Sequence, residues 1–200
     1  MTAQTSPAMR SGVADMTPLG WLAAAGVVAV LAVILWAMGR TPICTCGDIK
    51  IWHGVVKSAE NSQHITDWYT PSHVIHGFIF YGALTWLMPQ SSFLTRLLLA
   101  LGIESAWEIV ENTNATIERY RTATIALDYY GDSILNSISD ALAMVVGFTL
   151  ASILPVWVTV ALAIAAEVFT GIMIRDNLTL NVIMLLYPID AIKAWQSAGG

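Results

Sequence analysis

His73 and His76 stand three residues apart, one turn of a helix, and project from neighbouring angles. That is workable spacing for two ligands on one ion. Glu104, Glu108 and Glu111 follow at i, i+4 and i+7 and, at about 100° per residue, form an acidic stripe on one helix face. Asp132, Asn136 and Asp140 repeat the arrangement at i, i+4 and i+8, with Ser133, Ser137 and Ser139 in the same stretch. Two chemistries fit. The groups can coordinate a divalent metal that polarises a phosphoryl or acyl group or activates water. Alternatively they form a salt-bridged polar core with Arg119, Arg121 and Arg175, binding an anionic headgroup or moving protons. On the first reading His73, His76 and Glu108 are the metal ligands, and Glu104, Glu108, Asp132 and Asp140 are the catalytic acid–base candidates. Arg121, Arg175 and Asn136 are the substrate-binding candidates.

The elements that must position these residues are hydrophobic segments. The chain is 56% hydrophobic and 12% charged, against roughly 25% charged in an average soluble domain, and its mean hydropathy is +0.64. An ionisable group at bilayer depth costs ~3 kcal/mol or more, so a membrane chain keeps one only if it pairs, binds an ion or lines a wet cavity. Residues 1–18 are polar and read as a disordered tail, and residues 19–200 as one transmembrane domain. Leu19–Met38 is an uninterrupted apolar run long enough to cross about 30 Å of hydrocarbon, and it stays as an anchor. Thr70-Pro71-Ser72 is a helix start for a second span ending at Met88. A third runs from Phe93 to Val110, a fourth from Asp132 to Leu154, and a fifth from Val156 to Ile174. Leu178 to Trp195, broken by Pro188, reads either as an interfacial helix or as a short sixth span. The fold class is therefore all-α, a polytopic membrane bundle of about five spans.

Alternating spans bring the His, Glu and Asp clusters to one side of the membrane, together with Arg175, Asp176 and Asn177. Arg40, Lys50, Lys57, Arg119, Arg121, Arg175 and Lys193 lie on that side, and only Arg10 and Arg96 lie opposite. The positive-inside rule reads such a side as cytoplasmic, whereas the aromatic-rich loops suit the outside equally well. Ala143, Gly147 and Ala151 form a small-residue seam for close helix approach. Glu167 is the deepest carboxylate and needs Arg175, a polar face of another span, or a proton. Cys44 and Cys46 read as unpaired thiols, because a disulfide between them closes a very small ring and a zinc site needs two further ligands. A net charge of −5 without a basic cluster excludes nucleic acid as a partner. There is no nucleophile elbow, Walker loop or HExxH, nor the Glu-x-x-His of two-metal helical bundles.

The blocks QHITDWYTPSHVIHG, ESAWEIVENTNATIERYR, DYYGDSILNSISD and IRDNLTLNVIMLLYP resemble an uncharacterised family of bacterial inner-membrane proteins, over roughly Trp21 to Gln196. The resemblance implies a multi-pass protein of the inner membrane of a Gram-negative bacterium and brings no activity. More remotely, the order of His76, Glu104 or Glu108, Arg121, Asp132 and Asn136 is similar to that of VanZ-like proteins, from which Glu111, Asp140 and the long first loop depart. The function expected from all of this is binding or modification of a lipid-linked or other amphiphilic anion at a one-sided polar cavity, with a divalent metal as the candidate cofactor. The rival class is a non-catalytic membrane protein, an assembly factor or small transporter, whose polar core is structural.

Overall fold

A computed structural model describes residues 12–124 and 126–198. Of the expected tail, residues 1–11 lie outside the described residues, and Val13–Asp15 form a short 3-10 turn whose Val13, with Met16, packs on the core. Hydroxyl and amide side chains set the helix starts, each accepting a backbone N–H left free in a first turn. Thr17 caps α1 (Pro18–Ala37), with proline in its first turn. A proline also opens α2 (Thr70–Leu87). Ser92 caps α3 (Phe93–Glu111), Thr113 caps α4 (Asn114–Ala123) and Ser133 caps α5 (Ile134–Ile153). After α6 (Val156–Ile174), Asn177 caps α7 (Leu178–Leu186), and α8 (Asp190–Ser197) ends the described chain. These helices and one isolated bridge, Trp52 to Thr66, are the regular structure among the described residues.

Two segments differ from expectation. The stretch after Glu111, expected as a loop, contains α4, which buries Ile117, Tyr120 and Ala123. At 10 residues it is too short to announce itself by periodicity. The region 178–195, expected as one interfacial helix or a short sixth span, is not one helix. Pro188 divides it into α7 and α8, of 9 and 8 residues, and at 1.5 Å per residue neither approaches the roughly 30 Å of a bilayer core. Three helices, α1, α5 and α6, are long and apolar enough to cross a membrane, with mean hydropathies of 2.4, 1.6 and 2.0. Their length is matched by α2 and α3, where the histidines and glutamates lower the apolar content.

The core gathers Leu31 and Leu35 of α1, Phe93, Leu97 and Leu101 of α3, and Met144 and Phe148 of α5. The most extensive helix pair is α2 on α5, and α1 lies along α3. The α2–α5 crossing is made by glycine on both sides. A Cβ on Gly77 would overlap the carbonyl of Met144, and one on Gly147 would overlap that of Val74. Of the small-residue seam, Gly147 makes this approach and is buried, while Ala143 and Ala151 stay half-buried.

The long segment between α1 and α2 folds back over the start of α5. Ser62 N–H is accepted by Asp67, Ser133 N–H by the Ser62 carbonyl, and the Gln63 amide donates to Gly131 O at 2.7 Å. Cys44 and Cys46, expected as free thiols, are joined by a disulfide. Their Cα atoms lie 5.2 Å apart, inside the span a disulfide bridges, in a turn completed by Gly47 at φ +86°. Among the described residues, Glu167 pairs with no arginine. It accepts the N–H groups of Leu178 (2.9 Å) and Thr179 (3.0 Å), adding negative charge at the N-terminus of α7.

Asp176 follows α6 and is 1% exposed, accepting from Tyr69 Oη at 3.0 Å and Gln196 Nε2 at 3.0 Å. Burial pushes its carboxyl up to about 6, against which those hydrogen bonds pull only partly. A carboxyl whose folded-state pKa is raised stabilises the fold below its unfolded value, and that contribution falls as pH rises toward the folded value. Asp176→Asn is therefore expected to match the native protein at about pH 4 and to exceed it above about pH 6, by an amount on the order of 3 kcal/mol. Thermal unfolding in detergent across that range reads the difference. A native protein gaining stability over the variant as pH rises would contradict the assignment.

Candidate functional site

Two antiparallel helix ends and the start of a third meet at the histidines. On α2, His73 reaches Glu104 Oε1 of α3 through Nδ1 at 2.6 Å, and His76 reaches Glu104 Oε2 through Nδ1 at 3.0 Å. An ionised carboxylate only accepts, so both rings donate from Nδ1, and Nε2 is the nitrogen that a neutral ring has free for coordination. His73 Nε2 in turn points toward α5, 3.7 Å from Asp140 Oδ2, and Glu108 Oε1 lies 3.6 Å from His73 Nδ1. The ring planes of His73 and His76 stand nearly perpendicular, with centroids 5.3 Å apart.

Glu108 is the odd member. It is 1% exposed, and among the described residues neither of its carboxylate oxygens has a hydrogen-bond partner. A buried, unpaired carboxylate is among the costliest arrangements a core can hold. It also stands where two groups of potential ligands join. His73, Glu108 and Asp140 place one donor atom each within 4.8 Å of one another, and so do Glu108, Glu111 and Asp132. A third such group is His73, His76 and Glu104.

A cavity of about 180 Å³ opens beside these groups, and His73, His76, Glu111, Asp132 and Asp140 are in its wall. Apolar wall comes from Trp107, Leu178 and Val182. Ser62 closes one edge from the long first loop, in the left-handed region at φ +58°. That conformation costs a non-glycine residue about 1 kcal/mol or more and persists where the surroundings enforce it.

Hydrogen bonds from the α3–α5 connection fix the acidic wall. Asp132 accepts from Asn112 Nδ2 at 2.8 Å and from Tyr129 Oη at 3.0 Å, and its N–H returns a bond to Asn112 Oδ1 at 2.8 Å. Gly131, at φ +99°, allows this clamp, since a Cβ there would lie 2.9 Å from Asn112 Oδ1. Glu111 accepts from Tyr120 Oη at 2.6 Å. Burial pushes the hydroxyls of Tyr120 and Tyr129 well above the usual phenol range, helped by the negative charge of Glu111 and Asp132 respectively. Both remain proton donors at neutral pH. Asn112, Tyr120 and Tyr129 carry no membrane-depth cost that would single them out, and their role appears only once α4 folds them back.

The other site candidates are placed as follows. Asn136 is buried, and its amide donates to His64 O at 2.9 Å, anchoring the first loop on α5 outside the cavity wall. Arg121 and Arg175, the other substrate-binding candidates, donate to backbone carbonyls. Arg121 Nε donates to Tyr129 O, and Arg175 donates to Trp195 O at 2.8 Å with its guanidinium over that indole ring. Arg119 donates to Leu185 O at 2.8 Å. Each guanidinium donates to a backbone carbonyl, of the α4–α5 connection, of α7 or of α8, and among the described residues the acidic cluster has no arginine or lysine ion pair.

Comparison with known proteins gives a family and no reaction. Residues 35–198 match the family described as "Protein of unknown function (DUF2585)". A UPF0314 protein of Rhizobium meliloti (strain 1021) is 64% identical over 176 residues, covering 88% of this chain and 89% of that protein. A UPF0314 protein of Paracoccus denitrificans (strain Pd 1222) is 61% identical over 174 residues, 86% of this chain and 90% of that one. One from Sphingopyxis alaskensis is 57% identical over 187 residues, 94% of this chain and 100% of that one. No solved structure matches. With most of its length matched and identities well above half to full-length relatives, the chain belongs to this bacterial family of unknown function.

Proposed function

We propose that this is a multi-pass protein of the bacterial inner membrane, with α1, α2, α3, α5 and α6 as its spans, whose cavity holds a divalent cation and acts on a lipid-linked or other amphiphilic anion. Supporting the membrane setting, α6 buries only Thr159 and Thr170 and leaves Val156, Trp157, Ile172 and other large apolar side chains exposed, a face suited to lipid. The order of His76, Glu104 or Glu108, Arg121, Asp132 and Asn136, similar to that of VanZ-like proteins, fits the same setting.

The observation that carries the cation is Glu108, buried with both oxygens unpartnered among the described residues, beside His73 and three further carboxylates, Glu111, Asp132 and Asp140. His73 Nε2, Glu108 and Asp140 are the ligands on this reading. Glu104 is the carboxylate that orients the imidazoles, the arrangement usual behind metal-bound histidine. His, Asp and Glu donors suit zinc, manganese or iron more than calcium. The cation also explains how an acidic cavity receives an anion: it reverses the local sign of charge. It would polarise the phosphoryl or acyl centre of the headgroup or supply activated water, with Asp132 or Glu111 taking the proton and the Trp107, Leu178 and Val182 wall meeting the apolar portion.

Metal analysis of the detergent-solubilised protein, purified without chelators, tests this. The native chain is expected to carry more divalent metal than Glu108→Gln or His73→Ala, by about one ion per chain. Equal content in all three would overturn the cation site. The rival, a non-catalytic assembly factor or small transporter, draws on one observation: Glu104 with its two histidines is a complete hydrogen-bonded unit without any ion.

A further inference from the structure

Outside the cavity, the first loop gathers a second and chemically different set of donors. Cys44, Cys46, Glu60 and His64 place one sulfur, oxygen or nitrogen atom each within 4.8 Å of all the others. Cys44 and His64 are 3% and 1% exposed, so half of the set is held inside the loop rather than waving in solvent. Glu60 is half-exposed and bound to Lys50 Nζ, with His64 Nε2 3.0 Å from the same oxygen. These are the two further ligands that a Cys-x-Cys pair requires, brought from 14 and 18 residues downstream by the chain's return toward α2.

We propose that Cys44, Cys46, Glu60 and His64 form a zinc site when the two cysteines are reduced, and that the disulfide is the alternative state of the same turn. Two thiolates, an imidazole and a carboxylate make four donors, the number that closes a structural zinc tetrahedron. Soft sulfur donors select zinc over magnesium or calcium. With Zn–S and Zn–N bonds of about 2.3 and 2.0 Å, neighbouring ligand atoms on a tetrahedron sit about 3.3–3.8 Å apart. On binding, the two sulfurs, bonded in the disulfide, and His64 Nε2 and Glu60 Oε2, 3.0 Å apart, therefore move apart to reach this spacing.

The protons balance simply. Reduction by a phosphine and water breaks the S–S bond, turns the phosphine into its oxide and leaves two thiols that take their hydrogens from water. Zinc then replaces both thiol protons, which go to solvent. At His64 the ring nitrogen near Glu60 becomes the ligand, so the ring proton moves to Nδ1. That nitrogen gives up its long contact from Lys50 N–H (3.3 Å), which lies at a half-buried position where water can accept instead. Lys50 leaves Glu60 as the cation takes its place. Which state prevails follows the redox poise of the compartment that the loop faces.

Cobalt titration of the full-length chain in detergent tests the proposal without relying on the cavity. The phosphine-reduced protein is expected to develop a near-ultraviolet thiolate-to-cobalt band with intense tetrahedral visible bands, saturating at about one cobalt per chain and displaced by zinc. The oxidised protein is expected to show no such band. Imidazole and carboxylate ligands give no sulfur charge transfer, so cobalt in the cavity does not mimic the result and its absence there does not affect it. His64→Ala is expected to weaken cobalt binding by at least about tenfold, the lower end of what losing even an outer-shell partner costs. A reduced native protein without the sulfur band, or a His64→Ala affinity equal to native, would overturn the proposal.

Discussion

Gly147→Val is expected to abolish the folded protein. The α2–α5 crossing sets the distance between His73 and Asp140, and at this crossing the nearest obstacle to a side chain is the Val74 carbonyl of the opposing helix. Overpacking usually costs ~1–3 kcal/mol because flexible side chains give way. Backbone on both helices cannot give way, since Gly77 presses equally on Met144. The cost then reaches or exceeds the upper end of that range, a large fraction of the ~5–15 kcal/mol that holds a domain folded. Thermal unfolding and monodispersity in detergent measure it, with Gly147→Ala as the graded variant. Gly26→Ala on α1 is the control, because a Cβ there meets nothing within 4 Å. It is expected to be neutral or stabilising by about 0.5–1 kcal/mol through helix propensity. If Gly147→Val melts with the native protein, the helices do not cross at this point.

That crossing marks the boundary of what the residues alone convey. Hydrophobic length and helix-start chemistry make α1, α2, α3, α5 and α6 legible, because an apolar run bounded by Thr-Pro or Ser is a local signal. The i, i+4 spacing likewise puts Glu104 and Glu108 on one face of their helix, and Asn136 and Asp140 on one face of theirs, before any packing is known. Partner choice is not local. Whether a carboxylate meets arginine, histidine or nothing depends on connecting segments, and there the sequence gives little warning. Arg121 and Arg175 look like ligands for an anion, yet carbonyls of loops and helix ends claim them. Glu167 looks like a buried charge in need of a cation and instead caps α7. Asn112 and the two tyrosines become wall-forming groups only through the return of α4, whose 10 residues are too few for a periodic pattern to register.

Glu104 and Glu108 stand one turn apart, and their replacement is expected to move stability in opposite directions. Glu104 accepts from two imidazoles, so it is a satisfied buried group. Glu104→Leu leaves both Nδ1–H donors without an acceptor and is expected to cost about 3–5 kcal/mol, the usual cost of breaking one side of a buried pair. Glu104→Gln is milder but sets an amide N–H₂ against one ring N–H. That ring must turn or shift its proton to Nε2, the atom required for coordination, so cation affinity should fall roughly 10–100-fold although Glu104 is not itself a ligand. Glu108 has no hydrogen bonds to lose. With divalent metal removed by chelation, Glu108→Gln is therefore expected to unfold at the native temperature or above it, since it replaces a buried carboxyl that accepts no hydrogen bond, while with metal present the native protein regains the advantage. The comparison needs only melting curves of the native protein and the two variants, with and without added metal. If both glutamates prove equally stabilising and metal moves neither curve, the cluster is a single structural polar core, and the non-catalytic reading of this family member replaces the one proposed.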